Sequence, residues 1–152
     1  MSEPMKRAAA LPEVSLARSP EDFKSLAERT LENREKVIYY MGSVELLMEA
    51  YEQAYEEDYY IPTRVKLDIF VKMLAPDTEI MRQYQSTDAQ EVRETRCLPD
   101  DVVMENSVMI HDDTVVFFAK DESVYGLSIV SPEVAKTMKA MFNDMWRNAK
   151  NI

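Results

Sequence analysis

The chain has 152 residues, 46% apolar and 30% charged, with one cysteine, Cys97, and a formal net charge of −10. This admits a single domain with its own core and excludes an internal disulfide or a cysteine-built metal cage. The acidity, with no Lys/Arg cluster to override it, opposes contact with a phosphate backbone, so no direct DNA binding is expected. No run approaches the ~20 apolar residues that span a membrane, and the opening MSEPMKRAAALPEV is too weak for a signal peptide. A cytoplasmic protein is expected.

Residues 1–13 read as a flexible N-terminal tail, and 14–150 as one domain. VSLAR (14–18) alternates as a short strand. Ser19-Pro20-Glu21-Asp22 opens a helix: serine caps, proline fits the first position, and the carboxylates face the positive end of the dipole. Phe23, Leu26, Ala27 and Leu31 should point inward. KVIYYMG (36–42) is a continuous apolar run, as in a strand buried on both faces. A helix over 44–57 places Leu47, Ala50, Tyr51, Ala54 and Tyr55 on one stripe. Pro62 breaks YYIPTRV (59–65) into a loop. LDIFVKMLA (67–75) is a strand with Ile69, Val71 and Met73 on one face, and a short helix covers about 77–85.

RETRCL (93–98) is the next strand. The second half then changes character. VMENSVMIH, TVVFFAK and SVYGLSIV are strand-like runs separated by Asp112-Asp113 and Asp121-Glu122, an antiparallel meander. Ser131-Pro132-Glu133 repeats the earlier helix start. The last helix, 132–149, turns Val134, Met138, Met141, Phe142, Met145 and Trp146 inward. Strand and helix alternate first and strands pair directly later, which gives an α/β class: a mixed β-sheet flanked by helices.

This order of pieces resembles the C-terminal effector domain of TrmB-type transcriptional regulators, itself similar to one half of the phospholipase D fold. The resemblance rests on VSLARSPEDF with KVIYYMG, on Arg64 ahead of its strand, and on RETRCLPDD with Arg96 and Pro99. It rests most on the ending IHDDTVVFFA…GLSIVSPEVAKTMKAMFNDMWRNAK. It implies a phospholipase D-like half domain that regulates transcription by sensing a small ligand or docking a partner. It also implies a homodimer, because such halves pair across a two-fold axis. TrmB-type regulators carry a winged helix ahead of this domain, and residues 1–13 are too few for one. The resemblance therefore implies a DNA-binding partner protein or a reading domain supplied elsewhere.

Phospholipase D enzymes use H-x-K-x-x-x-x-D, with a histidine nucleophile and a phosphate-binding lysine. If Asp113 stands for the aspartate, Asn106 takes the histidine position and Val108 the lysine position. Asparagine forms no phosphohistidine and valine neutralises no phosphate. His111, the lone histidine, is read with Asp112 and Asp113 as a polar turn, and no enzyme activity is expected. Three consecutive residues do not easily close on one ion, so neither a metal nor another cofactor is expected.

The remaining candidates concern binding. Gly42-Ser43 sits between a strand end and a helix start, a frequent ligand position that is also an ordinary turn. Arg64 and Arg96 can hold an acidic ligand or a partner carboxylate, or serve as structural hydrogen-bond donors. Tyr51 and Tyr55 fall at helical spacing and can line a groove or pack in the core. Cys97 is read as a small buried thiol.

Overall fold

The computed structural model describes residues 11–149. Strand β1 is Glu13–Ala17 and helix α1 Pro20–Leu31. The expected tail therefore lies outside the described residues over its first ten positions, and Glu13 already belongs to the sheet. Ser19 caps α1 as expected: its Oγ accepts from the Asp22 amide, while Asp22 accepts from the Ser19 amide in return. The buried face of α1 is Phe23, Leu26, Ala27 and Thr30. Thr30 takes the place expected for Leu31 because its hydroxyl is satisfied internally, donating to the Ala27 carbonyl.

Strand β2 (Val37–Met41) leads into α2 (Val44–Ala50). The expected single helix over 44–57 is broken at Tyr51 and Glu52, both extended. The chain then restarts as an α-turn Gln53–Tyr55, a π-helix Glu56–Tyr60 and an α-helix Ile61–Lys66, which together form α3. Residues 59–65 are thus helical rather than a loop. Pro62 lies in the first turn of the last piece, where its missing N–H and the widened π-turn relieve the clash that breaks an ordinary helix.

Strand β3 (Phe70–Ala75), helix α4 (Glu79–Ser86, capped by Thr78) and strand β4 (Arg93–Cys97) follow. The meander is β5 (Ser107–His111), β6 (Thr114–Lys120) and β7 (Val124–Val130), and α5 (Pro132–Asn148) closes the chain under its Ser131 cap. β5 is shorter than the expected run from 103.

The seven strands form one mixed sheet in the order β1-β7-β6-β5-β2-β3-β4. β2 is central, parallel to β3 and antiparallel to β5, which explains its unbroken apolar sequence. Successive residues alternate between two cores. Ile38, Tyr40, Val71, Met73, Met109 and Phe118 face a core closed by Phe23 and Leu26 of α1, Val44 of α2 and Met81 of α4. Met41, Leu74, Val108, Ile110 and Val115 face α5, which contributes Ala135, Phe142 and Trp146. Met141 was expected inward but is 54% exposed; Ala135, one helical turn into α5, is buried instead.

Candidate functional site

The β5–β6 hairpin carries the phosphodiesterase-motif positions. His111 pairs with Thr114, leaving Asp112-Asp113 as a two-residue turn. Asp112 has φ of +47°, a left-handed conformation that aspartate tolerates better than most residues. Its carboxylate accepts from the Arg34 and Glu35 amides at 3.0 and 3.1 Å. Lys139 of α5 donates to the Asp112 carbonyl at 2.6 Å and to Glu35. The turn is thus bolted to the α1–β2 loop and to α5. Asn106 and Asp113 are exposed at opposite ends of the strand. Val108 lies between them, buried in the α5 core. The three positions do not converge.

His111 is 4% exposed, and its Nε2 has no hydrogen-bond partner. Burial pushes the imidazole pKa down to about 4, against the opposing charge of Asp112. It is a neutral core side chain at neutral pH.

The Gly42-Ser43 turn is filled by its own neighbours. Gly42 has φ of +127°, and a Cβ there would stand 2.6 Å from Ser107 Oγ, so only glycine fits. Ser107 Oγ accepts from the Ser43 amide at 2.9 Å and donates to the Ser43 carbonyl, which also accepts from the Tyr40 hydroxyl. Ser43 Oγ is committed to Glu45. An anion would have to displace this set.

Both candidate arginines are structural donors. Arg64, 2% exposed, donates to the Ile69, Glu91 and Val92 carbonyls at 2.6–3.1 Å, tying α3 to the strands β3 and β4. Arg96 pairs with Glu94 and donates to the Trp146 carbonyl near the end of α5. Its guanidinium lies 4.1 Å from the Trp146 ring centroid, pinning that helix end. Cys97 is buried, and desolvation raises its pKa, which leaves the thiol unreactive.

Tyr51 and Tyr55 are brought together with Arg64 and with residues the sequence did not single out. They line a cavity of about 70 Å³ between α1, α2, α3, α4 and the sheet. Tyr40, Tyr60, Tyr84, Glu56, Ile61, Arg64 and Arg93 complete most of the wall. The helix break at 51–52 and the π-turn explain this convergence. A π-helix repeats on i→i+5, so the step of five from Tyr55 to Tyr60 keeps both on one side. Tyr51 and Tyr55 stack at 6.2 Å and Tyr55 and Tyr60 at 6.4 Å. The run EAYEQAYEEDYY held this signal, once a change of helical pitch is allowed; nothing local marks Tyr84 or Arg93.

The polar groups of the cavity are partly committed. The Tyr60 hydroxyl meets Thr30 Oγ1 at 2.5 Å, and Tyr55 donates to Glu28 at 3.1 Å. Arg93 is paired with Asp88 and Glu91. Tyr84 reaches Glu56 only through long contacts of 3.3 and 3.4 Å. Desolvation raises the Glu56 pKa, and the Tyr84 contact and the Arg93 charge oppose it. A groove of about 510 Å³ between α3 and α4 adjoins the cavity. Tyr51, Glu56, Ile61 and Tyr84 line both spaces and form the threshold between them.

No family model and no curated protein matches this chain. Solved structures do. TrmBL2, an archaeal chromatin protein described with a novel mode of DNA binding, superposes with a TM-score of 0.62 at 17% identity. The match covers 99% of this chain and 59% of TrmBL2, so the chain spans well under two thirds of that neighbour. The phospholipase D family member Nuc from Salmonella typhimurium superposes with a TM-score of 0.65 at 16% identity, over 93% of this chain and 99% of Nuc. NucT from Helicobacter pylori gives 0.64 at 13%, over 93% of this chain and 100% of NucT. The fold is phospholipase D-like, and the resemblance read from the sequence holds at the level of fold.

Proposed function

We propose that this chain is a non-catalytic regulatory domain that senses a small ligand in its tyrosine-lined cavity and acts in transcription. The observation that carries the reading is the contrast within one fold between a hairpin filled by structural contacts and a preformed cavity adjoining a groove. Pockets of this kind, mostly apolar with a few convergent polar groups, are the usual form of small-molecule sites. The link to transcription rests on likeness to TrmBL2, a chromatin protein. The site calls for no metal or cofactor, and the acidic chain is expected to act in the cytoplasm beside a DNA-binding partner.

Two measurements test it. A metabolite panel read by thermal melting should yield a compound that raises Tm, since a ligand at 100 times its Kd stabilises by about 2.7 kcal/mol. Hydrolysis of bis-p-nitrophenyl phosphate should stay at the buffer rate. A flat panel would remove the sensor reading, and hydrolysis abolished by His111→Ala would remove the non-catalytic one.

A second reading, pairing of two copies, is favoured by the edge strand β1. Val14 and Leu16 are 62% and 53% exposed there, with Leu11 beside them, and an apolar edge strand is a template for pairing with another strand. A dimer by light scattering that Leu16→Lys converts to a monomer would support it. A wild-type monomer would end it.

A further inference from the structure

Resting on the ligand-sensing reading, we propose that the site takes an aliphatic amine. Its alkyl end would fill the cavity and its ammonium would sit at the threshold against Glu56, between the Tyr51 and Tyr84 rings.

Three observations converge on this class. The first is size. A cavity of about 70 Å³ is roughly half the ~150 Å³ that holds benzene, so it admits about three carbon atoms. The wall offers them Ala27, Ile38, Val71 and Met73. The second is charge. Among the described residues the groove beyond the threshold is lined by Glu56, Glu57 and Glu91 and by no lysine or arginine. Arg64 and Arg93 do line the cavity, but each is engaged: Arg64 with three carbonyls, Arg93 with Asp88 and Glu91. Their charge keeps a cation out of the interior and holds it at the threshold. The third is the character of the threshold itself. Tyrosine faces attract cations, and at the threshold the Tyr84 ring already draws one of the protein's own, the Arg93 guanidinium 5.0 Å from its centroid. Glu56 adds a half-buried carboxylate whose contacts to Tyr84 are long, so it keeps acceptor capacity for an incoming N–H. An ammonium is the donor that suits a carboxylate flanked by aromatic faces. A second ammonium on a diamine would extend into the groove toward Glu57.

The test is an NMR titration of the full chain with four probes of matched size: n-propylammonium, 1,3-diaminopropane, n-propanol and propionate. The two amines should shift the threshold and cavity resonances, Ile61 and Met73 among them, and saturate in the millimolar range, the diamine more tightly. Propanol and propionate should not saturate. Glu56→Gln should weaken the amines at least tenfold without lowering Tm. Ala27→Leu, which adds three carbons inside the cavity, should abolish binding of both amines and serves where the first variant does not fold. Propanol binding as well as propylammonium, or propionate binding better, would overturn the amine assignment while leaving a ligand site. Amine binding untouched by both variants would place it elsewhere and overturn the proposal. Silence from all four probes would overturn it too, and a flat metabolite panel beside that silence would take the sensor reading with it.

Discussion

On the α5 side of the sheet, Phe142 and Trp146 stack at 5.7 Å and close over Leu74, Val108, Ile110 and Val115. Arg96 fastens the helix near its C-terminal end and Lys139 fastens its middle. On the other side the cover is assembled from α1, α2, α3 and α4, and it leaves a cavity lined by five tyrosines. One continuous 17-residue helix covers that face with a single apolar stripe. A cover made of short pieces, one of them a π-helix, keeps hydroxyls, a carboxylate and unfilled space. In this fold the unfilled space lies where the helices are interrupted, while the hairpin carrying the phosphodiesterase-motif positions faces α5.

The sharpest way to break this comparison is to restore the motif. Val108→Lys puts an ammonium among the buried apolar side chains of Leu74, Ile110, Val115 and Phe142. An unpaired buried charge of this kind costs about 3–5 kcal/mol, enough to unfold many domains of this size. Asn106→His, on an exposed position, should be neutral alone. The double variant is expected to lose its cooperative urea transition and to show no phosphodiester hydrolysis. A folded double variant that hydrolyses bis-p-nitrophenyl phosphate would show that the hairpin side is a dormant catalytic site rather than a structural one.

The next largest effect is expected at Arg64, on the wall between the cavity and the sheet. Arg64→Met keeps most of the aliphatic stem but leaves the carbonyls of Ile69, Glu91 and Val92 without this donor. Losing three charge-assisted bonds should cost about 3 kcal/mol in urea unfolding. Unchanged stability combined with lost ligand binding would instead make Arg64 part of the recognition surface, and would move the binding group from the threshold to the interior.

Strands and long helices were legible because their periods are local. Ile69, Val71 and Met73 alternate onto one face as read, and the two Ser-Pro starts both cap helices. The hairpin at Asp112-Asp113 was legible for the same reason. What escaped was irregular pitch. The run 51–60 has helical spacing, but tertiary packing breaks it: Tyr51 leaves the helix to set its ring against Phe23 at 6.0 Å, and Pro62 is absorbed by a π-turn. Thr30 displaced Leu31 from the core because a side chain-to-backbone bond made the polar residue inexpensive to bury. The three partners of Arg64 and the Trp146 partner of Arg96 are carbonyls, which no residue pattern announces. Tyr84 and Arg93 reach the cavity from other elements, so only the three-dimensional arrangement assembles it.

The smallest effect separates His111 from chemistry. Its folded pKa of about 4 lies below its ordinary value of 6.5. As pH falls below 6.5 the unfolded chain takes up a proton that the folded chain refuses. The stability associated with neutral His111 is therefore complete above about pH 6.5 and is lost as pH falls toward 4, in total on the order of 3 kcal/mol. Asp22, Asp77 and Asp121, whose pKa values are lowered by hydrogen bonds from 3.8, lose their contributions only as pH falls below that value. The comparison must be made against His111→Leu, which keeps those carboxylates. That variant should match or slightly exceed the wild type at pH 7.5, because it removes a buried Nε2 that has no partner. Its advantage should then grow between pH 6.5 and 4. Asp112, Glu35, Arg29 and Lys139 are the charges that act on the ring. A wild type that gains stability on acidification relative to His111→Leu would mean a protonated imidazole held by Asp112 or Glu35. The hairpin side would then contain a working charge pair, and the contrast between the two covers would fail at its most polar point.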